Sequence, residues 1–159
     1  MPGSGKSTVG VLLAKRTSRD FVDTDDLIQA SQGRTLQDIV DTDGHQALRS
    51  VEEKVIITLD CHNHVIATGG SAAYSQASMQ HLKANGVIVF LNVDLPTLQL
   101  RVQDFNTRGL AKHPDQSLSD LFDERFMLYK KYADVTVKNT NITHEEICDI
   151  IINKLKLKK

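Results

Sequence analysis

The chain begins Met-Pro-Gly-Ser-Gly-Lys-Ser-Thr (residues 1–8), and this stretch decides the fold class. It contains Gly-Lys-Ser, the end of the phosphate-binding pattern G-x-x-x-x-G-K-S/T. Glycines in that pattern let backbone N–H groups surround phosphate oxygens at a helix N-terminus. The lysine reaches the terminal phosphates, and the serine hydroxyl serves Mg²⁺. An apolar helical face follows, which argues against a merely flexible glycine- and serine-rich start. The candidate nucleotide-binding residues here are Gly3, Ser4, Gly5, Lys6, Ser7 and Thr8.

The phosphate-binding pattern is incomplete at its start. Its first glycine falls just upstream of Met1, and the β-strand that precedes a phosphate loop is absent as well. That strand lies in mid-sheet in phosphate-loop folds, so its omission would expose the hydrogen-bonding edges of neighbouring strands. We therefore expect Met1 to be an internal methionine and the natural chain to begin earlier.

Apolar β-branched runs alternate with helical patterns along the remaining chain, which is typical of a parallel sheet flanked by helices. The predicted strands are residues 21–23, 65–68, 87–91 and 135–137. The predicted helices are residues 6–17, 24–31, 44–60, 76–83, 94–105, 118–132 and 145–157, with Asp94 and Thr143 near two of their starts. A polar segment at about 106–117 lies between two helices, and we predict that it is a lid.

Composition excludes several classes of protein. The 159 residues predict one domain spanning residues 1–159, and 19 Lys and Arg against 20 Asp and Glu leave a formal net charge of −1. This balance argues against a nucleic-acid grip or a polybasic membrane contact. Cys61 and Cys148 lack the spacing of a zinc site or a disulfide framework. We expect a cytoplasmic monomer that binds neither nucleic acid nor membrane.

A pair of carboxylates follows the first helix, in Phe-Val-Asp-Thr-Asp-Asp (residues 21–26). Asp23 and Asp25 are two residues apart at a strand end, so both can project towards the phosphates. In a phosphotransferase one carboxylate can hold the water shell of Mg²⁺, and the next can take the proton of an acceptor hydroxyl. The alternative is a solvated helix N-terminus enriched in aspartate.

Two further stretches carry candidate acceptor contacts. Arg49 has Glu52 and Glu53 at i+3 and i+4, so a carboxylate can brace its guanidinium for bidentate binding. An ordinary surface ion pair is the alternative. Ala-Thr-Gly-Gly-Ser (residues 67–71) follows a β-rich run, and its glycines allow backbone amides to approach a ligand. A turn at the end of a strand is the alternative there.

Taken in order, these motifs resemble the shikimate kinase family of phosphate-loop small-molecule kinases. The resemblance covers essentially the whole chain. Its motifs are GSGKST, FVDTDD, LRSVEE, ATGGS, the lid stretch Asn106-Thr107-Arg108, and DERFMLY at 123–129 followed by Ala133-Asp134. Each motif is weak alone, and it is their joint order and spacing that carries the resemblance.

The resemblance implies an α/β fold in three layers, like that of nucleoside monophosphate kinases. Its parallel five-stranded sheet has the order 2-3-1-4-5, so the absent first strand would be the central one. It also implies ATP-dependent phosphorylation of the 3-hydroxyl of shikimate, a step towards chorismate and the aromatic amino acids.

The resemblance also implies roles by position. On the nucleotide side, Lys6 and Ser7 serve the phosphates and Mg²⁺, Asp23 the water shell of the metal, and Arg101 the adenine. On the acceptor side, Asp25 contacts the acceptor hydroxyl, and Gly69 and Gly70 line its pocket. The remaining roles fall to three arginines: Arg49 and Arg125 clamp the substrate carboxylate, and Arg108 closes from the lid onto the transferring phosphoryl group.

Three positions depart from the family pattern. Ser71 replaces a third consecutive glycine, Gly109 replaces the proline after the lid arginine, and Met127 replaces a proline before Leu-Tyr. Ser71 adds a side chain where the acceptor ring should pass. It leaves open a kinase of the same fold that acts on another small hydroxylated acid. A nucleotide-binding module without turnover is the further alternative.

Overall fold

The computed structural model describes residues 1–102, 109–113 and 115–157. Its strands are Asp20–Asp23 (β1), His64–Ala67 (β2), Val89–Asn92 (β3) and Val135–Lys138 (β4). Its helices are Lys6–Arg16 (α1), Thr24–Gln32 (α2), Leu36–Asp43 (α3), His45–Ile57 (α4), Gln76–Asn85 (α5), Leu95–Arg101 (α6), Leu118–Tyr132 (α7) and His144–Leu155 (α8). A single 3₁₀ turn, Ala72–Tyr74, precedes α5.

The strands form two separate parallel pairs. β1 pairs with β2, with Phe21 opposite Val65, and β3 pairs with β4, with Phe90 opposite Thr136. The predicted α/β class with parallel strands is confirmed. The described residues form two sheets of two strands each, and not one sheet of five.

A partly open cavity lies between the end of β2 and strand β3. Met1 is buried at its wall, and the other lining residues are mostly apolar. They include Ala72, Ala73, Met79, Ile88, Val89, Phe90, Leu91, Tyr129 and Tyr132. The two strand pairs therefore stand apart, with an apolar space between β2 and β3.

The main core lies where α1 and α8 pack against both strand pairs. Its buried members are Val9, Leu13, Leu91, Val137, Ile147, Cys148, Ile151 and Ile152. Helix α8 begins with a reciprocal capping box, in which Thr143 and Glu146 each bond the other's backbone N–H. Asp94 caps α6 by accepting a hydrogen bond from the N–H of Thr97. Both predicted helix starts are confirmed.

Most predicted helices differ from the structure by one or two residues at an end, and two differ more: the helix predicted over 44–60 ends at Ile57, and the one predicted over 94–105 ends at Arg101. The sequence analysis did not predict α3, although Thr35 and Asp38 form a capping box at its start. Gly44, with φ +85°, then separates α3 from α4, because a left-handed backbone interrupts the helix. Helix α6 ends at Arg101, and Val102 is already non-helical. The prediction for 94–105 was therefore too long at Val102, and its remaining positions lie outside the described residues.

The described part of the predicted lid packs against the body of the protein. Ala111 is buried in a second core cluster with Ile28, Ile39 and Leu48, and the N–H of Gly109 donates to the side chain of Gln37. Gly109 has φ +58°, and a Cβ there would clash with Leu36 and Gln37. Residues 109–113 are thus anchored on α2, α3 and α4. Within the described residues, none of the helices combines the length and apolar character that crossing a membrane requires.

Candidate active site

The phosphate loop turns sharply in front of α1. Gly3 and Gly5 have φ of +70° and +80°, which favours glycine at both positions. The hydroxyl of Ser4 and the ammonium of Lys6 both donate to the carbonyl of Met1, at 2.8 and 2.9 Å. Ser4 is buried beneath the loop. The loop is thus held in a fixed shape that leads its backbone into a helix N-terminus, the local arrangement that binds phosphate.

An open cleft of about 1820 Å³ runs along this loop. It brings together most of the residues predicted from the sequence for the nucleotide and the acceptor. These are Gly3, Gly5, Lys6, Ser7, Thr8, Asp25, Gly70, Arg101 and Arg125. Residues Ile142–Glu145, where α8 begins, line it too, and the sequence offered no sign of that role beyond the helix cap.

Ser7 and Asp23 form an oxygen pair at the edge of the cleft. The Ser7 hydroxyl donates to Asp23 Oδ2 at 2.6 Å, although the two residues belong to different elements. Mg²⁺ is a hard cation that prefers oxygen and is held by one or two protein groups together with substrate phosphates. The pair beside the phosphate loop therefore fits Mg²⁺.

Asp25 and Lys6 both line the cleft, and their charges interact. Burial, followed by the charge of nearby Asp23, raises the pKa of the Asp25 carboxyl, and Lys6 opposes this shift. Burial likewise lowers the pKa of the Lys6 ammonium, while Asp25 opposes that change. A carboxylate with a raised pKa is a better proton acceptor, so Asp25 is suited to take a proton from a hydroxyl group.

Arg49 and Arg125 converge on one backbone oxygen. Both guanidinium groups donate to the carbonyl of Ala111, at 3.1 Å from Arg49 and 3.0 Å from Arg125. The Nε atom of each is buried and has no hydrogen-bond partner among the described residues. Two cations with unused donors around a single oxygen form a binding site for an anion such as a carboxylate.

Two tyrosines fix these arginines. The guanidinium of Arg49 lies 3.7 Å from the ring centroid of Tyr74, a cation–π contact. Tyr129 donates to the carbonyl of Gly70 at 2.6 Å, and a Cβ at Gly70 would collide with the Arg125 guanidinium. A side chain at position 70 would therefore displace the Arg125 guanidinium. The sequence analysis assigned a role to neither tyrosine, although Tyr129 ends the motif at 123–129.

Gly69 joins the turn after β2 to the start of α2. Its N–H donates to the hydroxyl of buried Thr24 at 3.0 Å. A Cβ at Gly69 would collide with Glu52 and would lie 2.6 Å from Asp25 Oδ1. The turn is thus held directly against the two carboxyl groups.

Glu52 has a different partner from the one predicted. The i+3 and i+4 spacings predicted that Glu52 or Glu53 could brace Arg49, but the Ser71 hydroxyl donates to Glu52 Oε2, and Arg49 bonds Ala111 instead. This prediction was wrong because spacing within one helix does not reveal which side chain from another element contacts the carboxylate. Ser71 is buried, with its hydroxyl turned onto Glu52.

The structure gathers the sequence-predicted residues that it describes into one region. The predicted lid residue Arg108 lies outside the described residues. The sequence analysis missed four features of the site: the bond from Ser71 to Glu52, the ring of Tyr74, the hydroxyl of Tyr129 and the carbonyl of Ala111. They depend on contacts between residues far apart in the sequence.

The family model and the sequence relatives that match this chain all point to the same family. A model of the family described as shikimate kinase matches residues 2–156. The shikimate kinase of Sulfurihydrogenibium sp. (strain YO3AOP1) is 34% identical over 155 residues, which cover 97% of this chain and 93% of that relative. The shikimate kinase of Haemophilus influenzae (strain PittEE) is 34% identical over 159 residues, covering 95% of this chain and 88% of that relative.

Solved structures agree with the sequence relatives. Shikimate kinase from Acinetobacter baumannii in complex with shikimate has a TM-score of 0.86 and 28% identity, covering 97% of this chain and 88% of that chain. Shikimate kinase from Aquifex aeolicus has a TM-score of 0.84 and 32% identity, covering 98% of this chain and 92% of that chain.

Proposed function

This chain belongs to the shikimate kinase family of ATP-dependent kinases, and we propose that it transfers the γ-phosphoryl group of ATP to the 3-hydroxyl of shikimate. The observation that carries the choice of acceptor is the convergence of Arg49 and Arg125 on one oxygen, each with a free buried Nε. A phosphate loop alone has no need of this second anion site. A carboxylate on the acceptor explains it.

On the nucleotide side, the loop from Gly3 to Thr8 binds the phosphates through its backbone N–H groups. The ammonium of Lys6, which donates to the Met1 carbonyl here, would donate to the phosphate oxygens instead. Arg101 lines the cleft and lies against the adenine. Arg108 supplies positive charge to the transferring group from the lid.

We propose Mg²⁺ as the metal, held by Ser7 and Asp23. When bound, it neutralises phosphate charge. The hydrogen bond between Ser7 and Asp23 keeps the two oxygens together beside the phosphate loop, which supports this assignment.

On the acceptor side, Asp25 accepts the proton of the 3-hydroxyl while the hydroxyl oxygen bonds to the γ-phosphorus. The bond from that phosphorus to the β,γ-bridging oxygen breaks, and ADP leaves with the electron pair. Arg49 and Arg125 hold the shikimate carboxylate and so fix which hydroxyl faces the nucleotide. Catalysis is mainly positioning and charge neutralisation, as a loose phosphoryl-transfer transition state requires.

The sheet belongs to the same proposal. We propose that the two strand pairs are the halves of one parallel five-stranded sheet of order 2-3-1-4-5, counted with the central strand as strand 1. In this sheet the central strand lies between β2 and β3, where it fills the cavity. The parallel pairing of β1 with β2 and of β3 with β4 supports it, as do the apolar walls of that cavity.

Release of ADP from Mg-ATP, with and without shikimate, tests the reaction and the acceptor together. We expect release that requires shikimate. Bound ATP without shikimate-dependent release would overturn the proposal. ADP release with another hydroxylated acid would then favour a kinase of the same fold. No ADP release with any acceptor would favour a nucleotide-binding module.

A further inference from the structure

Ser71 is the part of the acceptor half that the proposed function leaves unexplained. The family pattern has a glycine here, so the roles that the resemblance implies include none for this side chain. The Ser71 hydroxyl is buried and donates to Glu52 Oε2. It spans from the turn after β2 to the middle of α4, and thereby holds one oxygen of Glu52 in place.

The other oxygen of Glu52 is buried without a partner. Glu52 is only 3% exposed, and its Oε1 has no hydrogen-bond donor among the described residues. A Cβ built at Gly69 would meet both this oxygen and Asp25 Oδ1, so both oxygens lie over the same point of the backbone. Asp25 lines the open cleft. A buried acceptor that lacks a donor indicates a ligand that supplies one.

We propose that Ser71 is a positioning residue for acceptor binding, because it holds Glu52 through Oε2 and keeps Oε1 available to a hydroxyl group of the acceptor beside Asp25. The inference rests on the proposed function, and it identifies how this chain orients a polyhydroxylated acceptor. Where the family pattern has a glycine without a side chain, this chain thus has a serine that bonds Glu52.

The charges around Glu52 make this arrangement depend on pH. Burial raises the pKa of the Glu52 carboxyl to about 7, and the bond from Ser71 opposes the rise. Asp25 on α2 favours the protonated form, whereas Arg125 on α7 and Lys6 on α1 favour the ionised form. Tyr129 of α7 also faces this carboxylate. Without the Ser71 hydroxyl the pKa of Glu52 rises further. As the pH falls, the Glu52 carboxylate is then protonated at a higher pH than in wild type, and it no longer accepts a hydrogen bond as an ion.

The experiment compares wild type with Ser71→Ala and Ser71→Thr across pH 6 to 9, with kcat and KM for shikimate and for ATP measured separately. We expect Ser71→Ala to raise KM for shikimate about tenfold near neutral pH, the effect of one hydrogen bond to a charged group, with kcat and KM for ATP within about twofold. The penalty should shrink at pH 9. Ser71→Thr keeps the hydroxyl and should restore most of the affinity.

Ser78→Ala is the matched control. Ser78 is a fully buried serine on α5 whose hydroxyl has no partner among the described residues, so removing it should leave KM for shikimate and its pH profile unchanged. Shikimate binding by calorimetry gives a second readout that does not require turnover. Unchanged KM and binding in Ser71→Ala at every pH, with an active wild type, would overturn this inference alone. An inactive wild type would overturn the proposed function instead.

Discussion

Arg49 illustrates how single residues shape the proposed acceptor site, because its planar guanidinium both stacks on Tyr74 and donates to the Ala111 carbonyl. A lysine keeps the charge but loses the fork of donors and the stacking. We predict that Arg49→Lys raises KM for shikimate roughly tenfold to a hundredfold and changes kcat less. Steady-state kinetics check this. Arg34→Lys, which alters a surface pair with Asp43, should match wild type. Equal KM values in both variants would contradict the carboxylate clamp.

The proposed role of Lys6 is at the other end of the transfer. Lys6→Met removes the ammonium from the phosphate loop, and we predict a loss of about a hundredfold or more in kcat, as for other groups that stabilise transition-state charge. The melting temperature should change little. Lys15→Met, on the exposed side of the same helix, is the control. A variant that keeps full turnover would show that Lys6 does not serve the transferred phosphoryl group.

Glu52 links the site to stability. The pKa of Glu52 in the folded protein, about 7, lies above the ordinary value of 4.5, so its contribution to stability is present below 4.5 and is lost as the pH rises through 7. We predict that the unfolding free energy of wild type falls relative to Glu52→Gln over this range, by up to about 3 kcal/mol. Urea unfolding at a series of pH values measures this. Glu53→Gln keeps Glu52 and should keep the wild-type slope, and parallel curves for wild type and Glu52→Gln would refute the prediction.

Helix α8 depends on its first turn, because its buried face closes the core against α1. Thr143→Ala removes the side chain that accepts from the N–H of Glu146. We predict a loss of about 1 kcal/mol in unfolding free energy, or roughly 3 °C in melting temperature. Thr42→Ala, an exposed threonine within α3, should change stability by less than about 0.5 kcal/mol. Equal effects of the two substitutions would mean that the capping box adds nothing.

For the molecule as a whole, the space between the strand pairs is the decisive feature. Each pair has an inner strand, β2 or β3, and the described residues place no strand on its second edge. We predict that a chain carrying an apolar, β-branched segment of about five residues directly before Met1 melts at a higher temperature. Amide exchange at β2 and β3 should also slow. The same length of glycine- and proline-rich sequence is the control. Unaltered exchange in the β-branched version would contradict the five-stranded arrangement.

The sequence alone determined the fold class, the phosphate loop and most of the residues that gather in the cleft. Such features are local: left-handed glycines, helix caps and apolar periodicity depend on neighbours a few positions away. Helix α7 was predicted with its correct limits, and Asp23 was correctly placed at the end of a strand, whereas Asp25 lies in the first turn of α2. The family motifs then placed Arg49 and Arg125 in one site although 76 positions separate them in the sequence.

Only the tertiary structure decided which groups meet. It directed Ser71, and not Arg49, to Glu52, placed the Ala111 carbonyl between the two arginines, and set Tyr74 beneath one of them. It also revealed two strand pairs with a largely apolar cavity between them. These outcomes depend on distances between elements that are remote in sequence. A side chain's spacing within one helix cannot tell which partner from another element will reach it, because packing of the whole core sets those distances.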